Sequence, residues 1–118
     1  MTVSVEQTVA TLQRRAAAVR AVQQIRADAT RARLHQGIAE SLAGGVEAWL
    51  IGSLAWGGFG ERSDIDVVLR GAPPGHASRL ELALTRLVGV PVEVLRLEEL
   101  PASFRERVER EGVVLHGK

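Results

Sequence analysis

The sequence predicts one α/β (α+β) domain in which short strands alternate with helices behind a long helical N-terminal segment. Three observations support this prediction. The length of 118 residues suits a single domain, a proline-free stretch opens the chain, and short apolar runs separated by turn residues follow it. With 46% hydrophobic and 25% charged residues, the chain has enough apolar material for a core that needs no disulfide support.

The N-terminal stretch, residues 4–43, predicts helix. It contains no proline and a single glycine, Gly37. Apolar residues recur there at spacings of three and four, which is helical periodicity, at Val5, Val9, Leu12, Ala16 and Val19. Ser4 is a candidate N-cap, and the pair that starts at Gly44 is a stop signal.

One helix over this stretch would be about 58 Å long at about 1.5 Å per residue, which is more than a compact domain of this size spans. Either the helix breaks where Asp28 or Thr30 caps a second helix, or its first half projects toward a partner. We expect the break. The chain then divides into an N-terminal helical extension, residues 1–27, and a domain over residues 28–118.

Short apolar runs after the double glycine predict a small sheet with helices between its strands. The strands are expected at residues 46–51, 65–69, 90–95 and 113–115. A helical turn is expected after the first strand, and longer helices at residues 76–88 and 101–111. The sequence GAPPG predicts a turn before the first of these longer helices because its two prolines exclude helix.

The segment over residues 51–69, IGSLAWGGFGERSDIDVVL, carries the chemistry. Asp64 and Asp66 are two apart in a predicted strand, so both carboxylates leave the same face, with their Cα atoms about 6.6 Å apart. Such a pair favours a hard divalent cation such as magnesium. Gly52 and Ser53 follow the preceding strand, where glycine lets a phosphate approach the backbone and the hydroxyl adds a donor. A phosphate site would then face a metal site.

Each feature alone has a plainer interpretation. An Asp-x-Asp pair is often the solvated face of an edge strand, and Gly-Ser after a strand is often only a turn. The combination is more specific, because Gly57, Gly58 and Gly60 allow the connection to fold back. It does not match a Walker loop, since no Gly-Lys-Ser or Gly-Lys-Thr closes it.

Gly52-Ser53 and Asp64-x-Asp66, with ten residues between the two motifs, resemble the signature of the polymerase-beta-like nucleotidyltransferase superfamily. The short chain looks like its minimal nucleotidyltransferase (MNT) branch, and the resemblance runs from about residue 28 to 115. It implies a polymerase-beta-like fold, a small mixed sheet flanked by helices. It also implies a third carboxylate from a later strand, which by position is Glu93, where the family usually has aspartate.

The resemblance further implies roles for these residues. Two Mg2+ ions would be bound, and ATP would be the substrate. The catalytic and metal-binding residues would be Asp64, Asp66 and Glu93. The nucleotide-binding candidates are Gly52, Ser53 and the cations Arg62 and Arg70. Glutamate at position 93 adds one methylene, which leaves open whether transfer is slowed or abolished.

A chain this short has no room for an acceptor-binding domain, so the resemblance implies a partner. In the family this is commonly a HEPN-domain toxin, and the antitoxin transfers AMP from ATP to a toxin hydroxyl, usually of tyrosine. The alternative is a module that neutralises the partner by binding alone. Glu93, the N-terminal extension and Trp56, which stands where the family commonly has arginine, motivate this alternative. We expect the Trp56 indole to pack on the protein rather than stack on a base.

The composition argues against other partners. A net charge of +1, with two Trp, two Phe and no Tyr, is poor material for a nucleic-acid surface. No secretion signal or long apolar run is visible, so we expect a cytoplasmic protein without membrane contact. Zero cysteines exclude thiolate metal sites. The apolar strip on the N-terminal helix would either pack on its own domain or join copies of the chain in a homo-oligomer.

Overall fold

The computed structural model describes residues 4–42, 44–60 and 63–117. The strands are β1 (Glu47–Ile51), β2 (Ile65–Arg70), β3 (Val92–Arg96) and β4 (Val113–His116). The α-helices are α1 (Val5–Ser41), α2 (Ser53–Trp56), α3 (His76–Val88) and α4 (Ala102–Glu111). The sheet order is β3-β2-β1-β4, with β2 parallel to β3 and the other neighbours antiparallel. The predicted mixed sheet flanked by helices is confirmed, and each strand lies within two residues of its expected bounds.

The predicted break in the N-terminal helix is wrong, because α1 runs unbroken past both candidate caps. Each cap residue finds a partner on its own helix instead. The Thr30 hydroxyl donates to the carbonyl of Arg26 over 2.8 Å, and Asp28 accepts from the side chain of Gln24 over 2.9 Å. With these polar groups satisfied inside the helix, nothing forces a second N-terminus at this point.

The first half of α1 projects from the domain. It starts at Ser4, whose capping box with Gln7 confirms the predicted N-cap. Its apolar side chains are exposed, Val5 by 77% and Ile25 by 70%. The molecule measures 67 × 30 × 21 Å. The second alternative, a projecting helix, is therefore the one observed, and a domain boundary after residue 27 stays a prediction because α1 passes through it.

Apolar layers cover both faces of the sheet. On the first face, α3 and the C-terminal part of α1 pack on β1 and β2; a Cβ on Gly37 would come within 2.6 Å of Leu87 Cδ2, so the helices approach closely. Its fully buried side chains include Leu34, Ile38, Leu50, Ile65, Val67, Leu69 and Leu84. On the second face, α4 packs on Trp49, Ile51 and Val68. Alternation along β2 places Asp66 on this second face.

None of the helices in residues 4–42, 44–60 and 63–117 combines the length and apolar character needed to cross a bilayer.

Candidate active site

The turn between β1 and α2 brings the backbone against the acidic strand. Gly52 has φ 78° and ψ −159°, a conformation that is essentially restricted to glycine. A Cβ at this position would stand 3.0 Å from Oδ2 of Asp66. The Gly52 carbonyl accepts from the amides of Ala55 and Trp56 over 3.1 and 2.9 Å, which closes the single turn of α2. Glycine is thus required for backbone conformation and for space.

The three predicted carboxylates come to one end of the sheet. β2 and β3 run parallel with Asp66 directly opposite Glu93, and adjacent strands are about 4.8 Å apart. Asp64 immediately precedes β2 and is exposed, whereas Asp66 is half-buried. Because β1 is antiparallel to β2, its C-terminal end, where the Gly52-Ser53 turn follows, meets the same end of the sheet.

The electrostatics of this cluster centre on Asp66. Burial raises the pKa of Asp66 above its ordinary value, and the negative charges of Glu93 and Asp64 raise it further. A hydrogen bond between the Asp66 and Glu93 carboxyl groups acts in the same direction, since it requires a proton on one of them. The site therefore concentrates negative charge that a cation would relieve.

The donor chemistry of this cluster fits a divalent cation. Carboxylate oxygens are the ligands that Mg2+ prefers. The charges of Glu93 and Asp64 both raise the pKa of Asp66, so the three carboxylates are close enough to interact. Among the residues that the structure describes, however, no three acidic, His or Cys side chains are gathered into a ready-made metal cluster. A cation would relieve the repulsion that raises the pKa of Asp66 and would have to draw in Asp64.

The two predicted arginines have different outcomes. Arg62 lies outside the described residues. Arg70 lies at the other end of β2, about 13 Å from Asp66 along the strand. Its guanidinium contacts both carboxylate oxygens of Glu47, at 2.6 and 2.7 Å, and that of Glu109 at 2.7 Å. We leave Arg70 out of the proposed site because its donors are engaged in this ion-pair network.

The Trp56 side chain is held by α4. Its indole nitrogen donates to the Glu111 carbonyl over 2.8 Å, and the Arg107 guanidinium lies 4.7 Å from the ring centroid. The ring remains 42% exposed. The expectation that the indole packs on the protein is confirmed by these contacts.

A cavity of about 330 Å³ separates α1 from the glycine-rich loop. Ser53, Gly57 and Gly58 line one side of it, and Arg20 and Arg31 line the other. No local motif indicates these arginines, because they stand 33 and 22 residues before Ser53. The available signal was that Arg20 and Arg31 lie on the same face of the predicted N-terminal helix.

Residues 33–116 match the family model for the nucleotidyltransferase domain. A solved structure described as a minimal nucleotidyltransferase is 32% identical to this chain, with a TM-score of 0.56. The similarity covers 73% of this chain and 89% of that chain. No curated protein matches the chain.

Two toxin–antitoxin crystal structures contain chains of similar fold. One, solved with AMP-PNP, is 19% identical with a TM-score of 0.62, over 75% of this chain and 73% of that chain. The other, MntA–HepT, is 16% identical with a TM-score of 0.57, over 77% and 73%. These likenesses concern the fold. The match over residues 33–116, the identity to a minimal nucleotidyltransferase and the shared fold lead to one conclusion: the chain belongs to the nucleotidyltransferase domain family.

Proposed function

We propose that the chain is a Mg2+-dependent protein adenylyltransferase that transfers AMP from ATP to a hydroxyl, first of all a tyrosine hydroxyl, of a HEPN-type toxin and so acts as an antitoxin. The observation that carries this proposal is the meeting of Asp64, Asp66 and Glu93 with the Gly52-Ser53 turn at one end of the sheet. Family membership supports nucleotidyl transfer. The toxin–antitoxin structures of similar fold support a toxin as partner.

The proposed reaction is an in-line displacement at the α-phosphorus of ATP. The bond from that phosphorus to the pyrophosphate oxygen breaks, and a bond to the acceptor oxygen forms. Glu93, which lies opposite Asp66 on the neighbouring strand, would accept the proton that the acceptor hydroxyl loses. The Ser53 hydroxyl and the amides after Gly52 would hold the β- and γ-phosphates. Two Mg2+ ions held by the three carboxylates would supply charge neutralisation.

Self-association through α1 is a further part of the proposal. Five exposed residues of α1 repeat at spacings of four and three and form what we call the α1 seam: Val5, Val9, Leu12, Ala16 and Val19. This repeat is typical of a two-stranded coiled coil. The seam is about 21 Å long, and its valines and leucine are each at least 45% exposed. We propose that a second copy of the chain covers it.

The second candidate function is neutralisation of the toxin by binding without transfer. The observation that favours it is Glu93, which lies opposite Asp66 and is one methylene longer than the usual aspartate. A longer carboxylate at this position would leave the catalytic cation misplaced. The two functions differ in their need for nucleotide, so one experiment separates them.

The purified chain is incubated with Mg2+, a purified HEPN-type toxin, and ATP labelled at either the α- or the γ-phosphate. Adenylyl transfer labels the toxin from α-labelled ATP alone. We expect no label with Asp64→Asn or Asp66→Asn, and full label with the control Glu106→Gln, an exposed carboxylate on α4. A tight complex that silences the toxin without label would favour binding alone. Label that persists when both aspartates are replaced would contradict the proposed site.

A further inference from the structure

We propose that Arg20, on the projecting part of α1, binds the polyphosphate of the nucleotide, so that the N-terminal helix completes the nucleotide pocket. This inference rests on the proposed function and deepens it, because it names a residue outside the motif segment that contacts the substrate.

The cavity has walls from two distant parts of the chain. Ser53, which directly follows the Gly52 turn, lines one wall together with Gly57 and Gly58. Arg20, four residues before Gln24, lines the opposite wall. The volume of about 330 Å³ falls in the range of about 300 to 1,000 Å³ that small-molecule sites occupy. The loop wall exposes backbone, since no heavy atom lies within 4 Å of a Cβ built on either glycine.

One face of α1 points at this cavity. Five residues of α1 line it, and spacings of three and four place them on one side of the helix: Arg20, Gln23, Gln24, Ala27 and Arg31. Ala27 is buried, so the helix is docked at that point. Arg20 then lies about two turns before the docked residue, and Arg31 about one turn after it.

The two arginines are in different states. The Arg31 Nη1 donates to the Leu54 carbonyl over 3.0 Å, and its other terminal nitrogen pairs with Asp28. Arg31 therefore ties α1 to α2, and its charge is balanced by a carboxylate. Arg20 is exposed and, counting partners only in the part of the chain that the structure describes, makes no hydrogen bond or ion pair. Its charge remains available to an anionic ligand.

The lining indicates a polyphosphate as that ligand. None of the described residues that line the cavity is acidic. The donors on its two walls, the Ser53 hydroxyl and the Arg20 guanidinium, suit an elongated anion that can meet both walls. A nucleoside triphosphate has this form, and a nucleoside monophosphate, with one phosphate, reaches fewer of these donors.

Calorimetry tests the inference with three probes, ATP, AMP and inorganic tripolyphosphate. We compare the wild-type chain with Arg20→Gln and with a matched control, Arg15→Gln, which removes an exposed charge from the same helix away from the cavity. We expect Arg20→Gln to weaken ATP and tripolyphosphate binding about three- to tenfold. AMP binding by Arg20→Gln and all binding by Arg15→Gln should match the wild type. Circular dichroism checks that α1 stays helical.

The outcomes separate this inference from the proposed function. Equal ATP and tripolyphosphate binding by the wild type and Arg20→Gln overturns the role of Arg20 and leaves adenylyl transfer standing. Equal weakening by Arg20→Gln and Arg15→Gln also overturns it, because only general charge would then matter. Tripolyphosphate binding that depends on Arg20 in a chain that transfers no AMP supports this inference and overturns the proposed function. A wild-type chain that binds neither ATP nor tripolyphosphate overturns both.

Discussion

Oδ2 of Asp66 lies 3.0 Å from the point where a Cβ on Gly52 would stand. This approach packs the Gly52-Ser53 turn directly against the carboxylate cluster, so the two motifs form one unit. Any side chain at position 52 would contact the Asp66 carboxyl group. Burial and the neighbouring charges of Glu93 and Asp64 already disfavour the ionised form of this group. The turn and the acidic strand must therefore have matched positions for the site to form.

The first prediction concerns Gly52→Ala. The new methyl group meets Asp66, and the backbone conformation at φ 78° and ψ −159° is strained for alanine. We expect a loss of about 2 to 4 kcal/mol in unfolding free energy and loss of adenylyl transfer, measured by urea unfolding and toxin labelling.

Gly45→Ala is the control for this prediction. Gly45 has φ 89°, precedes β1 at the end of the sheet where Glu47 lies opposite Arg70, and a Cβ there meets nothing within 4 Å. It should cost about 1 to 2 kcal/mol and keep transfer. If Gly52→Ala transferred AMP as well as the wild type did, the contact with Asp66 would have no catalytic importance.

The parts of the fold that the sequence predicts well are those with strong local signals. The bounds of α3 were predicted to the residue because Gly75 and Gly89 both adopt positive φ at its ends, a conformation that glycine alone tolerates well. The continuity of α1 was not predictable in this way. Asp28 and Thr30 suit a helix N-cap and equally suit hydrogen bonds within a helix, and the packing of Ala27 on the domain core accompanies the second outcome.

The candidate site was likewise predictable only where a local sequence pattern determines the geometry. The spacing of Asp64 and Asp66 predicts that they share a face, but their relation to Glu93 depends on the parallel register of β2 and β3, which no local pattern encodes. Arg70 also shares that face. Its pairing with Glu47 follows from the antiparallel register of β1 and β2, which places the two residues opposite each other at the far end of the strand.

The second prediction concerns pH and Asp66. A folded-state pKa that is raised above 3.8 means that the folded chain binds this proton more tightly than the unfolded chain does. The stability gained from protonated Asp66 is fully present below about pH 3.8 and is lost as the pH rises through the folded-state pKa. With EDTA present, Asp66→Asn should therefore be more stable than the wild type at pH 7.5, and this difference should shrink near pH 3.5.

Urea unfolding of both chains at the two pH values measures this difference. Glu106→Gln, which replaces an exposed carboxylate on α4, should leave the stability nearly unchanged at both. Added Mg2+ should stabilise the wild type at pH 7.5 and have little effect on Asp66→Asn. An Asp66→Asn chain less stable than the wild type at pH 7.5 in EDTA would show that the carboxylate is not under electrostatic strain.

The third prediction concerns Arg70→Ala. Arg70 joins Glu47 and Glu109 and lies 5.2 Å from the centre of the Trp49 ring. Its removal should cost about 1 kcal/mol of unfolding free energy, because the network is partly solvated. ATP affinity and AMP transfer should stay at wild-type levels, measured by calorimetry and labelling under conditions where the variant is folded. A loss of ATP affinity without loss of stability would return Arg70 to the nucleotide site.

The fourth prediction concerns the α1 seam. Val9→Gln combined with Leu12→Gln removes two exposed apolar side chains, 45% and 57% exposed, while glutamine preserves helix propensity. Neither side chain is part of the core, so the domain should unfold at the same urea concentration as the wild-type monomer does. The dissociation constant of the dimer, measured by sedimentation equilibrium, should rise at least about tenfold. Arg14→Gln is the matched control, since Arg14 lies two positions beyond Leu12 and outside the seam, and its guanidinium donates to the Thr11 hydroxyl of the same helix. Two outcomes would contradict the dimer: a wild-type chain that is monomeric at all concentrations, or a double variant that dimerises as well as Arg14→Gln does. The seam would then contact either the toxin or no partner. Toxin capture by the wild-type chain, the double variant and Arg14→Gln would decide between these two possibilities.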